Sequence, residues 1–196
     1  NYIAQDRSAL QYSGKELARS MQVPTFGSWT KLKRVARFLK HKPRVVMKFV
    51  KQERCSFVDS WVDTDHAGCL RTRRSTNGGA VRFGAHTLTT WSSTQGVIAL
   101  SSGESEYYGI VKGASKLLGM LSLFEDLGIC DAKATPCKGR LMTDSSTAKG
   151  IASRIGLGKV KHLHTQYLWV QERVRAKDFL LVKIGTHENV ADLMTK

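Results

Sequence analysis

The chain has 196 residues, enough for a buried core and for one or two domains. Hydrophobic residues make up 41% and charged residues 24%, as in ordinary globular proteins, and no apolar run approaches the roughly 20 residues of a membrane helix. The sequence therefore offers no candidate membrane helix and no membrane partner is expected, whereas a formal net charge of +15 favours an anionic partner. The four cysteines have neither zinc-site nor paired spacing. We therefore expect reduced thiols and an intracellular protein, cytoplasmic or nuclear, that is not secreted.

The positive charge is concentrated in the N-terminal segment. Residues 1–54 hold 13 Lys/Arg and 3 Asp/Glu, whereas the other 142 residues hold 18 and 13. Helices are predicted over 7–21 and, with Ser28 as a cap, over 28–40, where apolar residues recur at helical spacing. The opposite face of the second helix is basic and is predicted to contact phosphates through Lys31, Lys33, Arg34, Arg37 and Lys40. The stretch RVVMKFV then alternates like a strand, and KQER marks a boundary that divides a basic helical segment, 1–54, from a domain over 55–196.

From residue 57 the pattern becomes that of an α/β domain. FVDSWVD predicts a strand, and AVRFGAHTLTTWSST predicts two strands that meet near Gly84, with GVIAL extending the second. A long helix is predicted from Ser102 to Leu127, ended by Gly128. GRLMTD then predicts a strand, SSTAKGIAS a helix, HLHTQYLWVQERVRAK a helix, DFLLVKIG a strand and NVADLMTK the start of a last helix. A meander followed by alternating units predicts a mixed sheet with helices packed on it.

Four acidic residues stand in distinctive contexts. They are Asp63 in VDTDHAG, Glu106 in SSGESEYYG, Asp144 in LMTDSSTAKGI and Asp192 in HENVADLMTK. If the strands before Asp63 and Asp144 are parallel neighbours, both carboxylates emerge at one edge of the sheet. Carboxylates that meet in a basic protein need a cation, and oxygen ligands suit Mg²⁺ or Mn²⁺. The alternative is that each Asp only caps the turn or helix that follows it.

Two assignments stay open at this point. Asp65 competes with Asp63, because residues two apart on a strand share a face. Glu104 competes with Glu106, although a capping box with Ser101 favours a structural role for Glu104 and leaves Glu106 free to bind metal.

The motifs VDTDHAG, RRSTNGG, TWSST, LSSGESEYYG, TDSSTAKGI, KHLH and HENVADLMTK, in this order, resemble the ribonuclease H domain of Ty1/copia-type retrotransposon polyproteins. The resemblance covers residues 55–196, and the preceding residues resemble the segment that connects reverse transcriptase to that domain. It implies a ribonuclease H-like fold: a five-stranded mixed sheet, three antiparallel strands and then parallel ones, flanked by helices. No polymerase YxDD motif occurs, so no polymerase activity is expected.

The resemblance also implies the chemistry. Asp63, Glu106, Asp144 and Asp192 take the places of the four catalytic, metal-binding carboxylates, and His187 takes that of a mobile histidine that assists protonation or product release. Two Mg²⁺ or Mn²⁺ ions would then support hydrolysis of the RNA strand of an RNA–DNA hybrid. Further expected contacts to the hybrid are Arg73, Arg74, Ser102 and Ser145.

Reverse transcriptase, or other parts of a parent polyprotein, is an expected partner. One rival function is a non-catalytic nucleic-acid-binding or scaffold domain domesticated from a retroelement. A second is an integrase-like DNA strand-transfer enzyme, which four carboxylates with the second at a helix start fit less well.

Overall fold

Five strands form one sheet. The computed structural model describes residues 2–130 and 136–196. The strands are β1 (Phe57–Asp65), β2 (Thr76–Phe83), β3 (His86–Thr94), β4 (Lys138–Thr143) and β5 (Phe179–Lys183). Their order across the sheet is β3-β2-β1-β4-β5.

The sheet is mixed. β1 pairs antiparallel with β2, and β2 with β3, whereas β4 runs parallel to both β1 and β5. The turn between β2 and β3 contains Gly84 at φ +59°, a left-handed conformation that glycine adopts without steric cost. The five-stranded mixed sheet of the ribonuclease H-like fold, expected from the resemblance, is confirmed.

Six α-helices accompany the sheet in the described parts of the chain. They are α1 (Tyr2–Asp6), α2 (Gln11–Ala18), α3 (Phe26–His41), α4 (Ser102–Asp126), α5 (Ser146–Ser153) and α6 (Trp169–Ala176). Short 3-10 helices cover Ser8–Leu10, Thr165–Tyr167, Thr186–Glu188 and Val190–Met194. The long helix α4 ends as predicted, just before Gly128 at φ +66°.

The core lies between the sheet and α4. Val58 and Val62 of β1, Leu141 of β4 and Ile110 and Leu117 of α4 are fully buried. Gly113 lets α4 approach β1 closely, because a Cβ there would clash with Val62 Cγ1. Such burial supplies most of the stabilisation of a domain of this size. It also holds the N-terminal half of α4 against β1.

The basic helix forms as predicted, with one difference at its start. α3 begins at Phe26, and Thr25 rather than Ser28 is its N-cap. The Ser28 amide donates to Thr25 Oγ1 (3.2 Å), and the Thr25 amide donates to Ser28 Oγ (2.7 Å). These reciprocal bonds form a capping box, in which the serine is the third helical residue.

The N-terminal segment contacts the sheet through α2. Lys15 Nζ donates to Thr76 Oγ1 at the start of β2 (2.7 Å). Arg19 donates to Cys69 Sγ in the loop after β1 (2.6 Å). The boundary near residue 54 stays a prediction, but helices before it and strands after it touch directly.

Four segments differ from the predicted secondary structure. RVVMKFV forms no strand, and Val46 and Phe49 are exposed. GVIAL does not extend β3, α6 begins only at Trp169, and the segment after Asn189 forms a 3-10 helix. A strand needs a hydrogen-bonded neighbour, and apolar periodicity alone does not show whether the fold provides one.

Two of the four cysteines are joined. A disulfide links Cys130 to Cys137, with Cα atoms 5.5 Å apart, whereas Cys55 and Cys69 are free. The expectation of four reduced thiols was therefore wrong for this pair. A separation of seven residues is not a recognisable pairing motif, so only the approach of the chain after α4 to the start of β4 brings the sulfurs together. Within the described ranges, no helix is both long and apolar enough to cross a membrane.

Candidate metal centre

Three of the four predicted carboxylates converge. Asp63, Glu106 and Asp144 each offer an oxygen, and these oxygens lie within 4.8 Å of one another. Trp61 of β1 pairs with Met142 of the parallel strand β4, and each Asp stands two residues beyond that pair. Parallel strands in matched register therefore bring the two aspartates to the same edge of the sheet.

Glu106 reaches the same edge from the first turns of α4. Gly109 and Gly113 follow it at helical positions i+3 and i+7, on one face of the helix. A Cβ at Gly109 would lie 2.7 Å from Thr64 Cγ2 of β1. The missing side chains let this face approach β1, so Glu106 points at Asp63. The sequence contained this glycine spacing, but its meaning depends on which strand lies beneath α4.

Without a cation, the ionised forms of the clustered carboxyls are disfavoured, and the pKa values of two of them are raised. Burial raises the pKa of Glu106 to about 8, and the negative charge of Asp63 adds to the shift. Burial also raises the pKa of Asp63, where a hydrogen bond from Thr195 opposes the shift and the charges of Asp144 and Asp192 increase it. Among the described residues, the buried Glu106 Oε2 has no hydrogen-bond partner. An unpartnered buried oxygen beside two aspartates is the donor set that a hard divalent cation requires.

Asp192 lies beside this cluster. It belongs to the 3-10 helix Val190–Met194, where its side chain is 39% exposed and accepts from Lys196 Nζ. Its charge acts on Asp63, but it is not one of the three residues whose oxygens meet. The structure thus places the predicted fourth carboxylate at the rim of the site.

Thr195 is a site residue that sequence reasoning missed. Its hydroxyl lies 2.5 Å from Asp63 Oδ2 and 3.0 Å from the carbonyl oxygen of Asp192, so it is placed to donate to either. Asn189 supports the same segment, because its side-chain amide donates to the Val62 carbonyl (2.9 Å). Thr195 was part of the HENVADLMTK motif, but nothing in the motif indicates which partner its hydroxyl meets.

The structure separates both pairs of competing acids. Asp65 accepts a hydrogen bond from the Thr76 amide across the β1–β2 pair and is not in the cluster. Glu104 is 1% exposed and accepts from the Leu100 amide (2.8 Å) and from the Tyr108 hydroxyl (2.7 Å). Ser101 Oγ caps α4 by accepting from the Glu104 amide (3.2 Å), as predicted, but the carboxylate bonds Leu100 rather than the cap residue.

His187 is exposed in the 3-10 helix Thr186–Glu188. Its ring lies against Gly185, since a Cβ there would be 2.9 Å from His187 Cε1. The contacts of the described residues do not link it to the three carboxylates. Its proposed role therefore requires the ring to move.

The predicted nucleic-acid contacts lie in three places. The five basic residues of α3 are all exposed: Lys31, Lys33, Arg34, Arg37 and Lys40. Arg73 and Arg74 are exposed in the loop between β1 and β2. Ser102, exposed, is the first residue of α4, whereas Ser145 caps α5 by accepting from the Ala148 amide (3.1 Å). Ser102 and Ser145 stand close in sequence to Glu106 and Asp144, at the edge where the carboxylates meet.

The whole chain is similar to part of known retrotransposon proteins. It is 30% identical over 196 residues to the retrovirus-related Pol polyprotein from transposon RE2 of Arabidopsis thaliana, and 28% identical over 196 residues to that from transposon RE1 of the same plant. The Pol polyprotein from transposon TNT 1-94 of Nicotiana tabacum is 24% identical over 181 residues. The resemblance to copia-type retrotransposon Pol polyproteins is confirmed. The chain spans 13% of the length of each of these relatives. No protein-family model matches it.

The solved structures that the chain matches include ribonucleases H, at TM-scores below 0.5. LC11-RNase H1, isolated from compost by a metagenomic approach, matches with a TM-score of 0.49 at 15% identity. The match covers 71% of the present chain and 92% of that protein. The N-terminal RNase H domain of a Mycobacterium tuberculosis protein has a TM-score of 0.45 at 20% identity, with 71% and 91% covered.

Proposed function

We propose that the chain is a metal-dependent endonuclease that hydrolyses the RNA strand of RNA–DNA hybrids. The observation that carries the proposal is the meeting of Asp63, Glu106 and Asp144 oxygens within 4.8 Å. Three carboxylates this close repel one another when ionised, and a bound divalent cation would remove that repulsion. The similarity to retrotransposon Pol polyproteins supports the substrate class, which the resemblance to their ribonuclease H domain implies.

Asp63, Glu106 and Asp144 would hold a divalent ion directly, and Asp192 at the rim would take part in holding a second. When bound, Mg²⁺ or Mn²⁺ ions supply a nucleophile from water and stabilise the charge on the leaving oxygen. The chain supplies the arrangement around them. Thr195 orients the Asp63 carboxylate by donating to its Oδ2. The buried position of Glu106 keeps bulk water away from its unpartnered oxygen.

Substrate binding would use exposed basic residues and a serine beside the carboxylates. Exposed cations of α3 and of the loop after β1, among them Arg37 and Arg74, would bind backbone phosphates. Ser102 would contact the 2′-hydroxyls that distinguish RNA from DNA. His187, exposed on the surface, would deliver the proton to the leaving oxygen or assist product release.

The test is cleavage of a labelled RNA–DNA hybrid by the purified chain in Mg²⁺, in Mn²⁺ and in EDTA, with RNA–RNA and DNA–DNA duplexes as controls. The proposal expects cleavage of the RNA strand in the hybrid alone, and its loss in EDTA. A folded protein that binds the hybrid but leaves it intact in both metals would instead be a binding or scaffold domain. Cleavage of DNA–DNA duplexes would favour the integrase-like alternative.

A further inference from the structure

Glu104 is a buried carboxylate held from three directions. It is 1% exposed, and its Oε2 accepts from the Leu100 amide (2.8 Å) and pairs with His162 Nε2 (2.8 Å). Its Oε1 accepts from the Tyr108 hydroxyl (2.7 Å). Glu104 is therefore held inside the protein with both of its carboxylate oxygens bonded.

The three donors come from separate parts of the chain. Leu100 lies in the loop before α4, Tyr108 lies one helical turn after Glu104, and His162 lies in the segment between α5 and α6. One carboxylate therefore ties a distant loop to the first turns of α4. The bond from this loop to Glu104 is made by His162, whose side chain is otherwise 47% exposed.

These turns also carry Glu106. At about 100° per residue, two positions on an α-helix differ by about 200°, so Glu104 and Glu106 face nearly opposite sides of α4. Glu106 faces β1 and Asp63, while Glu104 faces the loop that holds His162. A rotation or shift of the first turn would move both together. Fixing Glu104 thereby fixes the direction of Glu106.

The same loop meets α4 at two further points. The Tyr107 hydroxyl donates to the Tyr167 carbonyl (2.8 Å), and the Tyr108 and Tyr167 rings pack edge to face with centroids 4.9 Å apart. Leu163, the neighbour of His162, is 3% exposed and belongs to the core. The backbone around His162 is thus anchored, which lets its imidazole act as a fixed donor rather than a loose surface side chain.

We propose that His162 and Glu104 are positioning residues for Glu106, an inference that rests on the nuclease function proposed above. Neither residue touches the substrate or the metal in this scheme. The bond between them holds the first turn of α4 at the angle from which Glu106 completes the carboxylate cluster. Groups hydrogen-bonded directly to a metal ligand change metal affinity or activity by about 10- to 100-fold when removed, and residues that act through the helix backbone, as here, are expected at the lower end of that range.

The test compares His162→Ala with His164→Ala, a matched histidine two residues away that is exposed and contacts the Tyr167 ring. Mn²⁺ binding is followed by electron paramagnetic resonance, and kcat and KM are measured on the hybrid. His162→Ala is expected to weaken Mn²⁺ binding or lower kcat by about 10-fold, with KM for the hybrid within about twofold of wild type. His164→Ala is expected to behave as wild type in both measurements.

A conservative replacement separates positioning from mere folding. His162→Gln keeps an N–H that can donate to Glu104 and is expected to recover most of the loss. Tyr108→Phe, which removes one bond to Glu104 and keeps the ring, is expected to shift Mn²⁺ binding in the same direction. These two variants keep the test decisive if His162→Ala does not fold.

The outcomes distinguish this inference from the proposed function. If wild type binds Mn²⁺ but cuts no hybrid, the nuclease proposal fails, while the shift in Mn²⁺ binding still decides the role of His162. If wild type cuts and His162→Ala matches His164→Ala in Mn²⁺ binding and kcat, the positioning role is overturned. It is overturned as well if wild type binds no Mn²⁺, since Glu106 then has no metal to be positioned for.

Discussion

The Thr195 hydroxyl lies 2.5 Å from Asp63 Oδ2, although 132 positions separate the two residues. This contact joins the last residues of the chain to the end of the central strand. It lowers the pKa of a carboxyl that burial and two neighbouring aspartates raise. The C-terminal segment therefore tunes the candidate metal centre as well as carrying Asp192.

Thr195→Val should shift the acid limb of the pH–rate profile to higher pH. Valine keeps the shape of threonine but cannot donate, so the pKa of Asp63 rises further and its ionised form needs a higher pH. The loss of activity should be greatest on the acid side, about 10-fold or less. Measuring kcat/KM from pH 5 to 9 checks this. A profile that keeps its shape would show that Thr195 does not influence the titrating carboxylate.

Asp63→Asn and Asp144→Asn should each lower hybrid cleavage by more than about a thousandfold, because each removes a charge from the cluster that holds the metal. The fold should remain, since neither residue belongs to the hydrophobic core. Asp126→Asn, an exposed residue at the end of α4, serves as the control. Near wild-type cleavage by either site variant would remove the proposed assignment.

Metal-free protein should lose stability as pH rises from about 5 to 8, in part through Glu106. Its pKa of about 8 in the folded chain lies above its ordinary value of 4.5, so the folded state keeps a proton that the unfolded state releases in this range. The stabilisation is complete below pH 4.5 and is lost as pH rises through 8. Thermal melts in EDTA should show a shallower decline for Glu106→Gln than for wild type. If the melting temperatures of wild type and Glu106→Gln fall equally with pH, the pKa of Glu106 is not raised in the metal-free protein.

Glu104→Gln and Glu106→Gln should affect stability and turnover in different proportions. Glu104 is bonded on all sides, so its neutral replacement weakens the start of α4, lowers the melting temperature and reduces turnover by only about 10-fold. Glu106→Gln replaces a carboxyl whose ionised form is disfavoured by burial, so cleavage is lost while the melting temperature in EDTA is kept, or is raised where the pH approaches 8. Circular dichroism melts and cleavage assays on the two variants check this, and the opposite pattern would exchange their roles.

The basic helix should contribute a salt-dependent part of hybrid binding. Replacing Lys33 and Arg37 together by Ala should weaken binding and reduce the slope of log K against log salt by about 2 if both contact phosphates. Lys116 and Arg175, exposed on α4 and α6, form a control pair with the same loss of charge. Fluorescence anisotropy at several salt concentrations measures both slopes. Identical slopes in the two double variants would place the phosphate contacts elsewhere.

Much of the architecture could be predicted from local pattern. The hairpin at Gly84, the long helix that ends before Gly128 and the basic helix α3 all follow from periodicity and turn residues. The order of motifs also predicted the mixed sheet and the similarity to Pol polyproteins. These features depend on residues close together in sequence, where side-chain spacing and backbone preference suffice.

Tertiary structure decided what local pattern left open. Asp63 and Asp65 share a face of β1. They are distinguished only by the meeting of Asp63 with Asp144 after β4 and Glu106 of α4, and by the hydrogen bond from the Thr76 amide to Asp65. The exposed stretch RVVMKFV, the Cys130–Cys137 disulfide and the Thr195–Asp63 bond likewise depend on which distant segment lies nearby. The residue types along this chain determined most of its helices and strands and its candidate metal ligands. Which residues those ligands contact was decided by packing, because the energy of a hydrogen bond or of a carboxylate pair depends on distance in space rather than on separation in sequence.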